Sequence, residues 1–260
     1  MTRTSSELAD QGFSIVEQVF EAGYMTALSL AMDRSYEVCR DVQIANGVDE
    51  VTDGTVHHLL ATGDSLYLDF LEQMLRSPIG DATHDFFQGK SILNSFGGVV
   101  NLPARPSYVA SIHRDVRFHT NGFPLMLNLL VMLDDFTAQN GATYLLEGSH
   151  KIAQKPSEEA FYDQAKRAVG KRGDILLFDS NLWHAAGINT TANKRRAITI
   201  TFSKPFMKQQ LDYSRALNFE VVSKMSDELK QVLGYFSRTP TSLQEWYQKP
   251  QERFYRPDQG

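Results

Sequence analysis

The sequence predicts a mainly β fold with flanking α-helices, built as a sandwich or a barrel. Short β-rich runs separated by Gly, Asn, Asp or Pro fill the chain from about Ser95 to Lys204, and apolar residues at helical spacing lie mainly on either side of them. No stretch of linker composition divides these parts. We therefore expect one domain over residues 1–260, with a β-core at about 95–204 and helices packed on it.

The elements before the β-core are one strand and three helices. GFSIVEQVF (12–20) alternates and is rich in β-branched residues, which is typical of a strand. EAGYMTALSLAMDRSYEVCRDV (21–42) has helical apolar spacing, and further helices are predicted over 65–77 and near 78–90. The expected strands of the core are SFGGVVNL, SYVASIHRDV, FPLMLNLLVMLDD, GATYLLEGS, GDILLFDSNLWHAAG and RRAITITFSK.

After the core, the chain becomes polar and helical again. MSDELKQVLGYF (225–236) predicts a helix with Ser226 as its N-cap, and Thr241 is the candidate start of another helix.

Composition excludes several classes of protein. The chain of 260 residues is 42% hydrophobic, which is enough for a sizeable core, and its formal net charge of -5 argues against a general nucleic-acid or anionic-membrane binder. The apolar run FPLMLNLLVML is far shorter than the ~20 residues of a membrane helix. The single cysteine, Cys39, and an N-terminus without a signal-type apolar run lead us to expect a soluble cytoplasmic protein without a membrane partner.

The stretch SIHRDVRFHT contains a possible metal-binding pair. In a strand, His113 and Asp115 project from the same face, because side chains alternate with period two. The triplet His-Arg-Asp also occurs in protein kinases, but this sequence has neither G-x-G-x-x-G nor Asp-Phe-Gly. A second histidine would complete the two-histidine, one-carboxylate site typical of non-haem Fe(II) oxygenases, and His184 in LLFDSNLWHAAG is the best-placed candidate.

Two adjacent arginines open the last predicted strand of the core. If the co-substrate is 2-oxoglutarate, a guanidinium can bind its distal carboxylate with paired, charge-assisted hydrogen bonds. Arg195 shares a face with Ala197, Thr199 and Thr201, whereas Arg196 shares one with Ile198, Ile200 and Phe202. The small and polar face suits a cavity, so we predict that Arg195 binds the co-substrate.

The ordered set His113-x-Asp115, NGATYLLEGSHK (140–151) and GDILLFDSNLWHAAGINTTANKRRA (173–197) resembles the phytanoyl-CoA dioxygenase family of Fe(II)- and 2-oxoglutarate-dependent oxygenases. The resemblance covers roughly Gly12 to Lys204. It implies a double-stranded β-helix (jelly roll, cupin-like), with His113, Asp115 and His184 as iron ligands and Arg195 as the co-substrate arginine. It further implies Fe(II), 2-oxoglutarate and O2 as cofactor and co-substrates, and a small-molecule substrate that is oxidised at a C–H bond.

This sequence departs from the family pattern at two positions. Some members carry Ser or Thr two residues after the distal histidine, where this chain has Ala186, so Thr199 or Asn128 is the candidate to help bind the co-substrate. Glu147 replaces the usual proline of the turn before Gly148.

The remaining candidates concern the substrate. Arg117 and His119 continue the alternation of His113 and Asp115, so we predict that they contact substrate. His57 and His58 are interpreted as structural, with a role in a lid as the alternative. A different class of function also remains open, namely a non-oxidative cupin-like isomerase or binding module that uses the same metal ligands without 2-oxoglutarate. Turnover of 2-oxoglutarate to succinate distinguishes the two.

Overall fold

The computed structural model describes residues 2–104 and 110–259. Its α-helices are α1 (Arg3–Gln11), α2 (Ala22–Ala45), α3 (Leu66–Leu75), α4 (Pro78–Phe87), α5 (Glu158–Gln164), α6 (Tyr213–Ala216), α7 (Phe219–Val222), α8 (Asp227–Val232) and α9 (Leu243–Trp246). Its strands are β1 (Phe13–Val16), β2 (Thr55–Val56), β3 (Ile92–Asn101), β4 (Met126–Met132), β5 (Tyr144–Leu145), β6 (Lys166–Arg167), β7 (Ile175–Asp179), β8 (His184–Ala185) and β9 (Arg195–Ser203).

The strands form two antiparallel sheets. The larger sheet has six strands in the order β1-β7-β4-β9-β3-β2, and the smaller one has the order β6-β5-β8. Apart from β3 and β2, neighbouring strands of the larger sheet are not consecutive along the chain, as expected when a chain crosses between the layers of a jelly roll. This arrangement confirms the predicted mainly β fold of the double-stranded β-helix type with flanking helices.

The two faces of the larger sheet are buried against different partners. Alternate residues of its central strands, such as Leu129, Leu177 and Ile200, pack with apolar residues of α2, α3, α4 and α8 in the main core. The opposite parity, including Leu176, Phe178 and Ala197, packs towards the smaller sheet in a second cluster. Burial of both faces explains why β4 is an almost continuous apolar run in the sequence.

The segment that carries His113 differs from the prediction. Residues 105–109, which include the start of the predicted strand SYVASIHRDV, lie outside the described residues. Over 110–116, His113 forms an isolated antiparallel bridge with His184 and no regular strand is present. The alternation nevertheless persists locally, because a backbone held extended by single bridges still turns successive side chains to opposite sides.

Two helices of the C-terminal part, α8 and α9, begin at serine caps. The Ser226 side chain accepts a hydrogen bond from the backbone N–H of Leu229, as predicted. The next helix, α9, begins one residue later than expected: Ser242 is its N-cap, and Thr241 donates to the Glu245 carboxylate. Thr241 therefore belongs to the capping arrangement and not to the helix.

Candidate metal and co-substrate site

Three side chains with metal-ligating atoms converge beside β8. One ligating atom from each of His113, Asp115 and His184 lies within 4.8 Å of the other two. Backbone contacts hold the segments together, since His113 and His184 exchange N–H···O bonds of 3.0 and 2.9 Å, and the N–H of Asp115 donates to the carbonyl of Ser180 at 3.0 Å. The structure thus brings together the three residues that the sequence singles out.

Backbone carbonyls determine which nitrogen of each histidine faces the centre. Nδ1 of His113 lies 2.7 Å from the carbonyl oxygen of Ser111, and Nδ1 of His184 lies 2.9 Å from that of Leu182. A carbonyl only accepts, so both Nδ1 atoms carry the proton and each Nε2 keeps its lone pair. These Nε2 atoms lie 3.5 and 3.7 Å from the carboxylate oxygens of Asp115. This tautomer is the one that binds a metal through Nε2.

A buried amide orients the carboxylate. Nδ2 of Asn128 donates to Asp115 at 2.6 Å and to Oγ of Ser180 at 2.9 Å, while Oδ1 of Asn128 accepts from Thr201 at 2.8 Å. Burial on its own raises the pKa of Asp115, but the nearby histidines outweigh it, and the net pKa lies below the ordinary value. Asp115 is therefore ionised, and its carboxylate has a defined direction.

The arginine between the two ligands points away from the site. The guanidinium of Arg114 stacks 4.1 Å from the ring centroid of Trp183 and donates to the carbonyl of Ile152 at 2.7 Å. Arg114 is buried. It thus anchors the segment on one side while His113 and Asp115 face the other side.

Arg195 is a buried cation that forms no ion pair with a carboxylate of the described residues. The residue is 3% exposed, its Nη2 donates to the carbonyl of Gly141 at 3.2 Å, and its guanidinium lies 4.1 Å from the ring centroid of Phe136. Its Nε has no hydrogen-bond partner among the described residues. Burial lowers the pKa of Arg195 to about 10, so the group is still charged at neutral pH. A buried and incompletely bonded guanidinium is a site prepared for an anion.

Arg196 has the opposite environment. Its Nε and Nη2 donate to the two carboxylate oxygens of Asp134 at 3.0 and 2.8 Å, and its Nη1 donates to Asp33 at 2.7 Å. These ion pairs lie on the helix side of β9. The alternation of β9 thus places the two arginines on opposite faces, as the sequence predicts.

His113, Asp115, His184 and Arg195 line one cavity of about 370 Å³. Thr199, Asn128 and Arg117 also line it. Asn128 is not free to bind a co-substrate in the way the sequence suggested, because all its polar atoms bond to Asp115, Ser180 and Thr201. Asn128 therefore orients the Asp115 carboxylate, whereas no hydrogen bond of the described residues uses the Thr199 side chain.

His119 lies elsewhere. Its Nε2 is 3.2 Å from the carbonyl oxygen of His150, and its side chain borders a second cavity between α1, α4 and the loop after Asp115. The predicted substrate contact of His119 in the first cavity is not supported, because the chain leaves the extended conformation after Asp115 and bends over 115–118. Alternation then no longer predicts the direction of a side chain.

His57 and His58, which the sequence suggested were structural, line the first cavity. His57 and His58 follow β2, and Nδ1 of His58 lies 3.1 Å from the hydroxyl of Tyr213 in α6. The sequence signal that could identify them is weak, since VHHLL shows only two polar residues between buried ones. Their position depends on the pairing of β2 with β3 and on a residue 155 positions away in the chain.

Jelly-roll sheets around two histidines, one carboxylate and a buried arginine define a metal-dependent oxygenase of the 2-oxoglutarate type. The sequence matches the phytanoyl-CoA dioxygenase (PhyH) family over residues 8–197, and the chain belongs to this family. It is therefore a 2-oxoglutarate-dependent oxygenase of the non-haem iron type, with Fe(II) as its cofactor and 2-oxoglutarate and O2 as its co-substrates.

The chain is also similar to individual proteins, in sequence or in fold. The protein Rv1501 of Mycobacterium tuberculosis is 32% identical over 258 residues, which are 96% of this chain and 92% of that protein. Dioxygenase trt7 of Aspergillus terreus is 28% identical over 200 residues, 74% of this chain and 69% of that one. The structure of HygX from Streptomyces hygroscopicus, with nickel and 2-oxoglutarate bound, has a TM-score of 0.61 at 16% identity and covers 80% of this chain and 89% of its own.

The helices contain no candidate membrane span. Within residues 2–104 and 110–259, none combines the length and the hydrophobicity needed to cross a bilayer.

Proposed function

We propose that His113, Asp115 and His184 bind Fe(II), that Arg195 binds the distal carboxylate of 2-oxoglutarate, and that the enzyme oxidises a C–H bond of a small molecule in the same cavity. For a hydroxylation, the substrate C–H, 2-oxoglutarate and O2 become the C–OH product, succinate and CO2. The observation that carries this proposal is the buried, incompletely bonded Arg195 in the cavity of the three ligands.

The donor set supports iron. Two neutral imidazole nitrogens and one carboxylate oxygen leave coordination positions open on an octahedral ion, which suits Fe(II) oxygenases. The Nδ1 hydrogen bonds to Ser111 and Leu182 hold both Nε2 lone pairs towards the carboxylate. Bound Fe(II), with 2-oxoglutarate and O2, supplies the oxidising chemistry. The protein supplies ligand direction, an anion site and a largely apolar enclosure.

Charge supports 2-oxoglutarate as the co-substrate. Asp115 is the one carboxylate among the described residues that line the cavity, and it lies at the metal ligands. The charge of Arg195 therefore requires an anion from outside the chain, because Asp134, its nearest acidic neighbour, is engaged by Arg196. Thr199 lies on the same face of β9 and can donate to that carboxylate. A cavity of about 370 Å³ suits a small molecule.

The test is the conversion of 2-oxoglutarate to succinate by purified protein with Fe(II) and ascorbate, compared with the His113→Ala, Asp115→Ala and His184→Ala variants. We expect succinate from the wild type and none from the variants. His84, an exposed histidine of α4, provides the matched control: His84→Ala keeps full turnover. Metal binding without any succinate would favour the non-oxidative isomerase or binding module.

A further inference from the structure

One cation of the cavity has no assigned partner. The guanidinium of Arg117 lines the cavity and forms no hydrogen bond or ion pair with any described residue. It shares this cavity with His113, Asp115 and His184. Arg117 is also exposed, so a molecule that enters the cavity can reach its guanidinium.

The charges of the loaded site balance without Arg117. With the roles proposed above, Fe(II) and Arg195 contribute three positive charges, and Asp115 and 2-oxoglutarate contribute three negative ones. Arg117 then remains as one uncompensated positive charge in a cavity whose other described lining residues carry no further carboxylate. A neutral substrate leaves this charge unpaired, whereas an anionic one pairs it.

His58 adds a neutral donor to the same cavity. Tyr213 is fully buried, and its hydroxyl has two partners: the backbone N–H of Phe96, which can only donate, and Nδ1 of His58 at 3.1 Å. A buried hydroxyl proton needs an acceptor, so Nδ1 of His58 accepts and the ring proton is on Nε2. This tautomer is the opposite of that of His113 and His184. Instead of a lone pair for a metal, His58 has an N–H donor on the ring edge away from Tyr213.

The backbone of His58 is also unusual. Its φ of 59° lies in the left-handed region, which is uncommon for a residue with a Cβ. Such conformations persist where the surroundings hold them, and they cluster at binding sites. Here the Tyr213 contact and the 3-10 helix Leu59–Thr62 hold the residue at the cavity wall.

We propose that the primary substrate carries an anionic oxyacid group, which Arg117 binds by its charge and His58 by its Nε2–H, while Tyr213 positions His58. This inference rests on the proposed function, because the charge balance assumes bound Fe(II) and 2-oxoglutarate. It names the chemical class of the substrate: an acid whose oxidised C–H bond lies a short distance from its anionic group. Carboxylates and phosphates share this chemistry.

The test uses matched probes. Wild-type protein, kept anaerobic and loaded with Fe(II) and saturating 2-oxoglutarate, is titrated calorimetrically with aliphatic and phenylalkanoic carboxylic acids, with the corresponding carboxamides, and with alkyl phosphates. We expect at least one acid to bind about tenfold or more tightly than its amide, as for a hydrogen bond to a charged group. Comparison of carboxylates with phosphates identifies the preferred oxyacid.

Variants assign the preference to residues. Arg117→Ala should reduce the ratio of amide to acid Kd to about one, since the charge is lost. His58→Asn tolerates the left-handed backbone and keeps a polar group near Tyr213 but lacks the distant donor, so the ratio should fall several-fold. His58→Gln restores an N–H donor on a longer side chain and should recover part of the ratio of amide to acid Kd. His119→Ala is the matched control and keeps the full ratio, because His119 borders the other cavity.

We expect Tyr213 to affect the acid preference only through His58, and a double-mutant cycle tests this. Tyr213→Phe removes the hydroxyl alone and should lower the acid preference as His58→Asn does. In the His58→Asn background, Tyr213→Phe should not lower the ratio of amide to acid Kd any further. A merely structural role of Tyr213 would instead lower this ratio independently of His58.

Two results would overturn the inference. One is a panel in which no acid binds better than its amide to the loaded wild-type protein. The other is an acid preference that disappears as 2-oxoglutarate is raised, because the acid then binds at Arg195. Failure of the wild type to bind 2-oxoglutarate in the presence of Fe(II) would instead contradict the proposed function itself.

Discussion

At the scale of single residues, the direction of the Asp115 carboxylate is determined by hydrogen bonds from residues that surround the three candidate metal ligands. Asn128 donates to Asp115 and to Ser180 and accepts from Thr201, so its amide cannot rotate without losing three bonds. Such outer contacts typically change metal affinity by 10–100-fold when removed. The carboxylate of Asp115 is 35% exposed to the cavity, so without Asn128 it is free to turn.

We therefore expect Asn128→Ala to weaken Fe(II) binding by about 10–100-fold while the protein still folds. The measurement is an anaerobic Fe(II) titration followed by calorimetry, with circular dichroism to check the fold. Thr201→Val is the matched control, because it removes only the outermost bond of the network and should have a smaller effect. Equal Fe(II) affinity of Asn128→Ala and the wild type would show that the backbone alone orients Asp115.

The two adjacent arginines provide a second residue-scale test. Arg195→Leu leaves the distal carboxylate of 2-oxoglutarate unpaired, which costs roughly 2–5 kcal/mol, equivalent to a Kd at least about 30-fold higher. Arg196→Leu breaks the ion pairs with Asp134 and Asp33 and should lower the free energy of unfolding without a comparable change in this Kd. Binding isotherms and denaturant unfolding measure the two quantities. The reverse pattern would contradict the assignment of Arg195.

At the scale of elements, close approach of a loop to a strand shapes the cavity. β3 carries Gly97 and Gly98 in succession, and alternation turns them to opposite faces. A Cβ on Gly97 would lie 2.6 Å from the carbonyl oxygen of Val56 and 3.5 Å from Cα of His57. A Cβ on Gly98 would instead clash with the end of the Met32 side chain, 2.2 Å from its Cε, and would lie 3.1 Å from the carbonyl oxygen of Ala197.

Gly97→Ala should therefore displace the loop of His57 and His58, because a backbone carbonyl cannot move aside as a side chain can. We expect a loss of about 1–3 kcal/mol in the free energy of unfolding and weaker binding of acid probes. Gly98→Ala should affect stability only, since the flexible end of Met32 can rotate away. Unfolding curves and probe titrations of both variants make the comparison. Unchanged probe binding in Gly97→Ala would mean that the loop does not contribute to the substrate site.

At the scale of the whole molecule, the site joins parts of the chain that are far apart in sequence. Arg195 comes from the larger sheet and His184 from the smaller one, whereas His113 lies outside both sheets. A ligand that contacts all of these segments binds only the folded chain. Its binding free energy therefore adds to stability.

Fe(II) and 2-oxoglutarate should accordingly raise the melting temperature. A ligand at 100 times its Kd adds about 2.7 kcal/mol, which for a chain of this size corresponds to a rise of roughly 5–10 °C. Thermal unfolding under anaerobic conditions, with and without each ligand, measures the effect. Arg195→Leu should lose the contribution of 2-oxoglutarate and keep that of the metal. A rise with 2-oxoglutarate alone, in the presence of a chelator, would contradict binding at the metal.

The sequence by itself determined the features that depend on local order. Strand periodicity separated Arg195 from Arg196, since two neighbours on an extended chain must face opposite sides, and the mainly β class followed from short runs between turn residues. The ordered set of His113, Asp115, His184 and Arg195 carried the family resemblance. These features depend on spacings of a few residues or on the order of residues along the chain, and both can be read from the sequence.

Only the tertiary structure decided the rest. It showed that the polar atoms of Asn128 are all bonded, that His119 faces a second cavity, and that His58 meets Tyr213. These contacts join residues up to 155 positions apart, and no periodicity reports on them. Whether a polar side chain is free to bind a ligand depends on which distant groups already use its atoms, and that is determined only when the sheets and helices pack.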